Sequence, residues 1–101
     1  MGEYKVKIFA AGQNDFLEVV ERINSLPADE AARQFESLEK KLEILKTAPE
    51  SCQSARDSQL RLRGYKMLTI DDYVYFFVIK GKTVEVRRII FASKVAHSPQ
   101  G

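Results

Sequence analysis

Hydrophobic and polar positions along this chain change period several times, and each change marks a new element. Tyr4-Lys5-Val6-Lys7-Ile8-Phe9 alternates apolar with basic residues, the period of a strand with one buried face. Ala10 to Gln13 breaks that alternation, and Gly12 or Asn14 is the candidate cap of a following helix. Phe16, Val19, Val20, Ile23 and Leu26 then recur at helical spacing, with Glu18, Glu21 and Arg22 turned outward. Ser25-Leu26-Pro27 interrupts the helix, because proline is disfavoured in a helix interior and accepted in a first turn. A second helix is predicted from about Ala28 to Lys46, with Asp29 and Glu30 near the end where its dipole favours anions. Its Ala31, Phe35, Leu38, Leu42 and Leu45 step by four, three, four and three, and Glu36 and Lys40 pair on the outside. Two apolar stripes joined by a short link make an antiparallel helical hairpin.

Past Thr47-Ala48-Pro49 the pattern weakens. Glu50 to Gln59 is polar and predicts a surface loop, and Leu60-Arg61-Leu62-Arg63 reads as an extended segment with alternating side chains. From Gly64 to Lys94 the chain predicts three strands joined by tight turns at Asp71-Asp72 and Lys80-Gly81. Tyr73 to Ile79 is apolar at every position, so that strand should be covered on both faces and lie centrally. The order is β-α-α-β-β-β. Strands segregated from helices indicate an α+β fold, with the helical hairpin on one face of a small antiparallel sheet. One domain spanning 1–101 is expected, with its core over about 3–94 and a flexible tail over 95–101.

Composition narrows the class. Apolar residues are 45% of the chain and charged residues 30%, which excludes a disordered or membrane-spanning polypeptide. No window approaches the roughly 18 uninterrupted apolar residues of a transmembrane helix. The lone Cys52 excludes an internal disulfide and fits a reducing, cytoplasmic compartment. A net charge of +2 conceals an asymmetry. Residues 1–50 hold seven Lys/Arg against ten Asp/Glu, and residues 51–101 hold nine against four. An acidic half joined to a basic half predicts two different surfaces, the basic one suited to an anionic partner.

The C-terminal residues carry a resemblance. Gly64-Tyr65-Lys66-x-Leu68, Asp71-Asp72-Tyr73-x-x-Phe76-Phe77-Val78 and Thr83-Val84-Glu85-Val86-x-Arg88-Ile89-Ile90, after a strand and a helical hairpin, resemble the RelE/ParE toxin superfamily. The likeness runs from about Tyr4 to Lys94 and is more ParE-like than RelE-like. It implies a bacterial type II toxin, neutralised by a cognate antitoxin, that stabilises plasmids and arrests growth. RelE-like members cut ribosome-bound messenger RNA, and ParE-like members poison DNA gyrase. A third class would be a non-toxic relative that only binds its antitoxin. Homodimers or toxin–antitoxin hetero-oligomers are the expected assemblies, with no cofactor, metal or membrane partner.

Cutting RNA through its 2′-hydroxyl needs a base, cations for the pentavalent phosphate and an acid for the leaving oxygen. The resemblance places Lys66 and Lys94 where RNA-cutting relatives carry basic residues. Other positions depart from that pattern: Val74 stands for an arginine, and Phe91-Ala92-Ser93-Lys94-Val95 replaces a His-Gly-Arg-Arg-Asp ending. His97 lies in the expected tail, and tyrosine hydroxyls titrate near ~10 unless perturbed. The catalytic residues are therefore unknown, with Lys66 and Lys94 the weak candidates. Arg61, Arg63, Lys66, Arg87 and Lys94 are the candidates for contact with an anionic target or nucleic acid. A solvated strand face explains Arg61, Arg63 and Lys66 equally well. Arg88, in register with Val84, Val86 and Ile90, is expected to pair with a carboxylate such as Glu85 or Asp57. Cys52, with no histidine near in sequence, is expected to be inert.

Overall fold

Helix α1 (Ala10–Asn24) runs directly off strand β1 (Lys5–Ile8), with Phe9 as the joint. The structure, a computed structural model, describes residues 3–96. No side chain caps α1; the Gln13 backbone N–H donates to the Phe9 carbonyl and the Gln13 amide to that of Ile8. Gly12 and Asn14 therefore lie inside the helix, correcting the cap expected at either.

Ser25 to Pro27 turns the chain into α2 (Ala28–Thr47), where Pro27 stands at the cap rather than within the first turn. The α1 and α2 stripes pack together and on the sheet. Val19, Ile23, Leu38 and Leu45 are buried with Ile70, Tyr75, Phe77, Val84, Val86 and Ile89, and Phe16, Phe35 and Leu42 pack against them. This is the larger core, and the expected α+β hairpin-on-sheet arrangement holds.

The segment expected as loop and extended chain is more structured than its polarity suggests. Pro49–Ser51 forms one tight 3-10 turn, Gln53–Ser54 is strand β2, and Ser58–Leu62 is helix α3. Asp57 caps α3, its carboxylate accepting the N–H groups of Gln59 and Leu60 at 2.9 and 3.1 Å. Arg61 and Leu62 are thus helical, not extended, and two of four orphan helix donors find a side-chain acceptor.

The meander is as its turns predict: β3 (Lys66–Ile70), β4 (Tyr73–Lys80) and β5 (Thr83–Phe91). Asp71 and Gly81 adopt positive φ of 53° and 61° in the two turns. Strand order is β1-β5-β4-β3-β2, so β4 is central, with residues Val74 to Val78 all buried. The sheet is mixed rather than antiparallel, because β1 pairs with β5 in parallel. Alternation assigns the faces of β1, but strand direction depends on the path of the hairpin that follows it.

The second face of the sheet is not bare. Met67, Val74, Phe76 and Ala55 form a smaller buried cluster, covered by Leu60, Tyr65, Ile90 and Ala92. Helix α4 (Ala92–Ala96) follows β5 directly, so Val95 and Ala96 belong to a helix rather than to a tail; the remaining tail positions, including His97, lie outside the described residues. Among the described residues no helix is long and apolar enough to cross a membrane.

Candidate functional site

A one-residue bulge in β5 decides where the arginines point. Phe77 pairs with Val86 and Phe76 with Arg88, leaving Arg87 as the extra residue. Before the bulge Val84 and Val86 face the helical hairpin; after it Ile89 does, and Ile90 joins the second-face cluster. Arg88 is therefore out of register with Val84 and Val86. It reaches α1 instead, its Nε 2.7 Å from Asp15, so its carboxylate is Asp15 and neither Glu85 nor Asp57. Asp15 holds the Arg88 guanidinium above its usual pKa by hydrogen bonding and charge.

Arg87 turns to the second face. Its Nη2 and Nε donate to one Glu85 oxygen at 2.6 and 3.1 Å, and Nη1 lies 3.5 Å from the Tyr65 hydroxyl. The guanidinium also covers the Phe9 ring at 5.5 Å. Hydrogen bonding to Glu85 raises its pKa, so Arg87 stays charged but is largely neutralised by its partner.

The other cations of the basic half separate into two groups by what they touch. Arg61 donates through Nη1 to the carbonyls of Ala55 and Arg56 at 3.1 and 2.9 Å, closing the loop before α3. Lys66 sits half-buried on the hairpin side, its ammonium donating to the Cys52 carbonyl at 2.9 Å and to that of Glu50 at 3.4 Å. Both satisfy backbone acceptors. Arg63 and Lys94, by contrast, are exposed and contact no partner group among the described residues. Arg63 closes α3 ahead of Gly64, whose φ of 85° only glycine adopts readily. Beside it Leu62 is 86% exposed, an unusual position for a large apolar side chain. Leu60 of α3 and Ala92 of α4 pack on the second-face cluster, so Arg63 and Lys94 stand in elements on the same side as Arg87, and Lys66 lies on the other.

The hydroxyls and the thiol are poorly placed for proton transfer. Burial pushes the Tyr75 hydroxyl well above its usual pKa, and it has no hydrogen-bond partner among the described residues. Tyr73 is raised by burial and Tyr4 by donating to Glu50. Burial raises the Cys52 thiol as well, more than nearby Lys66 lowers it. None of these groups is made more reactive by its surroundings. Among the described residues no three His, Cys, Asp or Glu side chains cluster as a metal site would require.

The sequence profile of the ParE toxin of type II toxin-antitoxin systems, parDE, matches residues 10–95. The chain belongs to the ParE toxin family. It is a type II toxin by that membership. A solved structure from the chromosomal ParDE toxin–antitoxin system of P. aeruginosa is similar in fold, with a TM-score of 0.64 at 15% identity. The superposition covers 88% of this chain and 96% of that one. No curated protein matches the sequence. The likeness in fold thus extends over most of the hairpin-on-sheet arrangement. Asp15 was not foreseeable as the partner of Arg88, because the bulge that redirects Arg88 leaves no signature in composition. Lys5 and Lys7, absent from the candidates drawn from sequence, do carry a signal of a charged face in their alternation with Val6 and Ile8.

Proposed function

We propose that this ParE-family chain arrests growth by binding DNA gyrase, and that a cognate antitoxin neutralises it in the cytoplasm. The observation that carries binding over cutting is Val74. It is 5% exposed, packed with Ala55, Met67 and Phe76, at the strand position where RNA-cutting relatives resemble one another in carrying an arginine. A guanidinium there would have to displace the second-face cluster. Of the two catalytic candidates, Lys66 donates to the Cys52 and Glu50 carbonyls.

The antitoxin reading is supported by the outer edge of β3. Strand β2 pairs only with Lys66 and Met67, so Leu68 to Ile70 have no strand neighbour on that side. An open hollow beside them is lined by Ile44, Cys52, Gln53, Met67 and Leu68. An extended antitoxin segment could add a strand there and seat apolar side chains in the hollow. The test is expression of the chain alone, with DNA supercoiling and protein synthesis followed in parallel. Loss of negative supercoiling before translation falls supports gyrase; the reverse order supports message cleavage.

A further inference from the structure

The uncovered end of the second face carries a charge pattern that the contacts of Arg61, Lys66 and Arg87 leave unused. Val6 and Ile8 pack on the hairpin core, so Lys5 and Lys7, alternate with them, project from the opposite side, and both are exposed. Register places Lys5 beside Thr83, which in turn lies opposite Lys80, and Lys7 beside Glu85. Lys80 alternates with buried Val74, Phe76 and Val78 on the same side of β4, and it too is exposed. Adjacent strands lie about 4.8 Å apart and alternate residues about 6.6 Å apart along a strand. Lys5, Lys7 and Lys80 therefore form a small two-dimensional array of ammonium groups.

The carboxylate within this array, Glu85, is taken by Arg87. No carboxylate forms an ion pair with Lys5, Lys7 or Lys80 among the described residues. Lysines on an edge strand also discourage strand-to-strand aggregation, which would account for Lys5 and Lys7. It does not account for Lys80, on the central strand.

We propose that this lysine array binds the phosphate backbone of duplex DNA, without regard to sequence. Lysines act on phosphates as point charges, and spacing in two dimensions suits a duplex surface better than a single line of phosphates. Single-strand binders also present free aromatic faces for stacking. Here the one exposed ring beside the lysines is Phe9, 40% exposed with Arg87 over it, and Tyr65 is half-buried with its hydroxyl on the same guanidinium, so there is no run of rings for successive bases to stack on. A protein partner would need an apolar anchor between the charges. Between the lysines the strands offer half-buried Thr83 and buried Val78, and the exposed Phe9 lies past Lys7 at the rim rather than among the charges. The contact does not depend on gyrase and is measured without it.

The experiment is fluorescence anisotropy of a labelled ~20-bp duplex with the purified chain, repeated across salt concentrations. Non-specific binding in the range of about 10⁻⁴–10⁻⁶ M near physiological salt is expected. Each phosphate contact contributes about −0.9 to the slope of log K against log salt, so Lys5→Gln/Lys7→Gln/Lys80→Gln should flatten that slope by about 2.7. Lys40→Gln/Lys41→Gln, on exposed α2 positions, should leave it unchanged. If the triple variant loses its circular-dichroism melt, Lys5→Gln/Lys80→Gln replaces it, with an expected flattening of about 1.8. Absence of binding at ~50 mM salt, an unchanged slope in the lysine variant, or tighter binding to a single-stranded RNA of equal length would each overturn the proposal.

Discussion

Asp15 accepts the Nε–H of Arg88 at 2.7 Å and the backbone N–H of Ile89 at 2.8 Å, fastening α1 to β5 just past the bulge. The two bonds are unequal in consequence. Arg88 is 53% exposed, so its share of the ion pair is screened by water, whereas Asp15 is 14% exposed. Replacing Asp15 with Ala strands the Ile89 donor and should cost about 1–3 kcal/mol. Arg88→Ala should cost less, about 0–1 kcal/mol. Urea unfolding of the two variants makes the comparison, and equal losses would show that the backbone bond contributes nothing.

Gly12 lies one helical turn before Asp15 and explains how α1 comes so close to the strand. A Cβ at Gly12 would stand 3.0 Å from the Val86 carbonyl oxygen, 3.2 Å from that of Arg87 and 3.2 Å from Ile8 Cγ2. Two of those neighbours are backbone and yield only if the helix moves off the bulge. Despite the better helix propensity of alanine, Gly12→Ala should lower stability by about 1–3 kcal/mol. A thermal melt at or above that of the parent chain would mean the helix has room that the contacts deny.

Cys52 should behave as an inert thiol. Burial raises its pKa, so at neutral pH its thiolate fraction falls below that of a free cysteine, and reactivity should climb as pH rises through the raised value. Alkylation by iodoacetamide at pH 7 is expected to be slower in the folded chain than in denaturant. Equal rates would place the thiol in solvent.

Much of the framework was legible because periodicity reports which face is buried. The hairpin stripes, the two meander turns and the central position of Tyr73–Ile79 all follow from it. Three features were not. The parallel pairing of β1 depends on the path of the chain, not on its pattern. Helix α3 depends on a single cap, Asp57, in an otherwise polar run. The bulge at Arg87 inverts the alternation that had placed Arg88 beside Val84 and Val86. The basic half of the sequence was visible as charge, but which cations are occupied by carbonyls and which are free is a matter of local geometry.

That distinction yields opposite outcomes for two sets of substitutions. Arg63→Gln/Lys94→Gln changes exposed side chains with no partner among the described residues, so stability should move by less than ~0.5 kcal/mol. If the second face meets the target, growth arrest should weaken at equal protein level. Lys66→Gln removes the donor to the Cys52 carbonyl and should cost about 1 kcal/mol of stability. Undiminished growth arrest in the Arg63/Lys94 variant would take these residues out of the target contact.

The most direct measurement adds the purified chain to purified gyrase, ATP and relaxed plasmid, then follows supercoiling with and without the antitoxin. Binding to gyrase predicts that supercoiling stops or that cleaved plasmid accumulates, and that prior addition of antitoxin restores normal turnover. Undisturbed supercoiling, from a chain that still halts translation by cutting ribosome-bound message, would contradict the account.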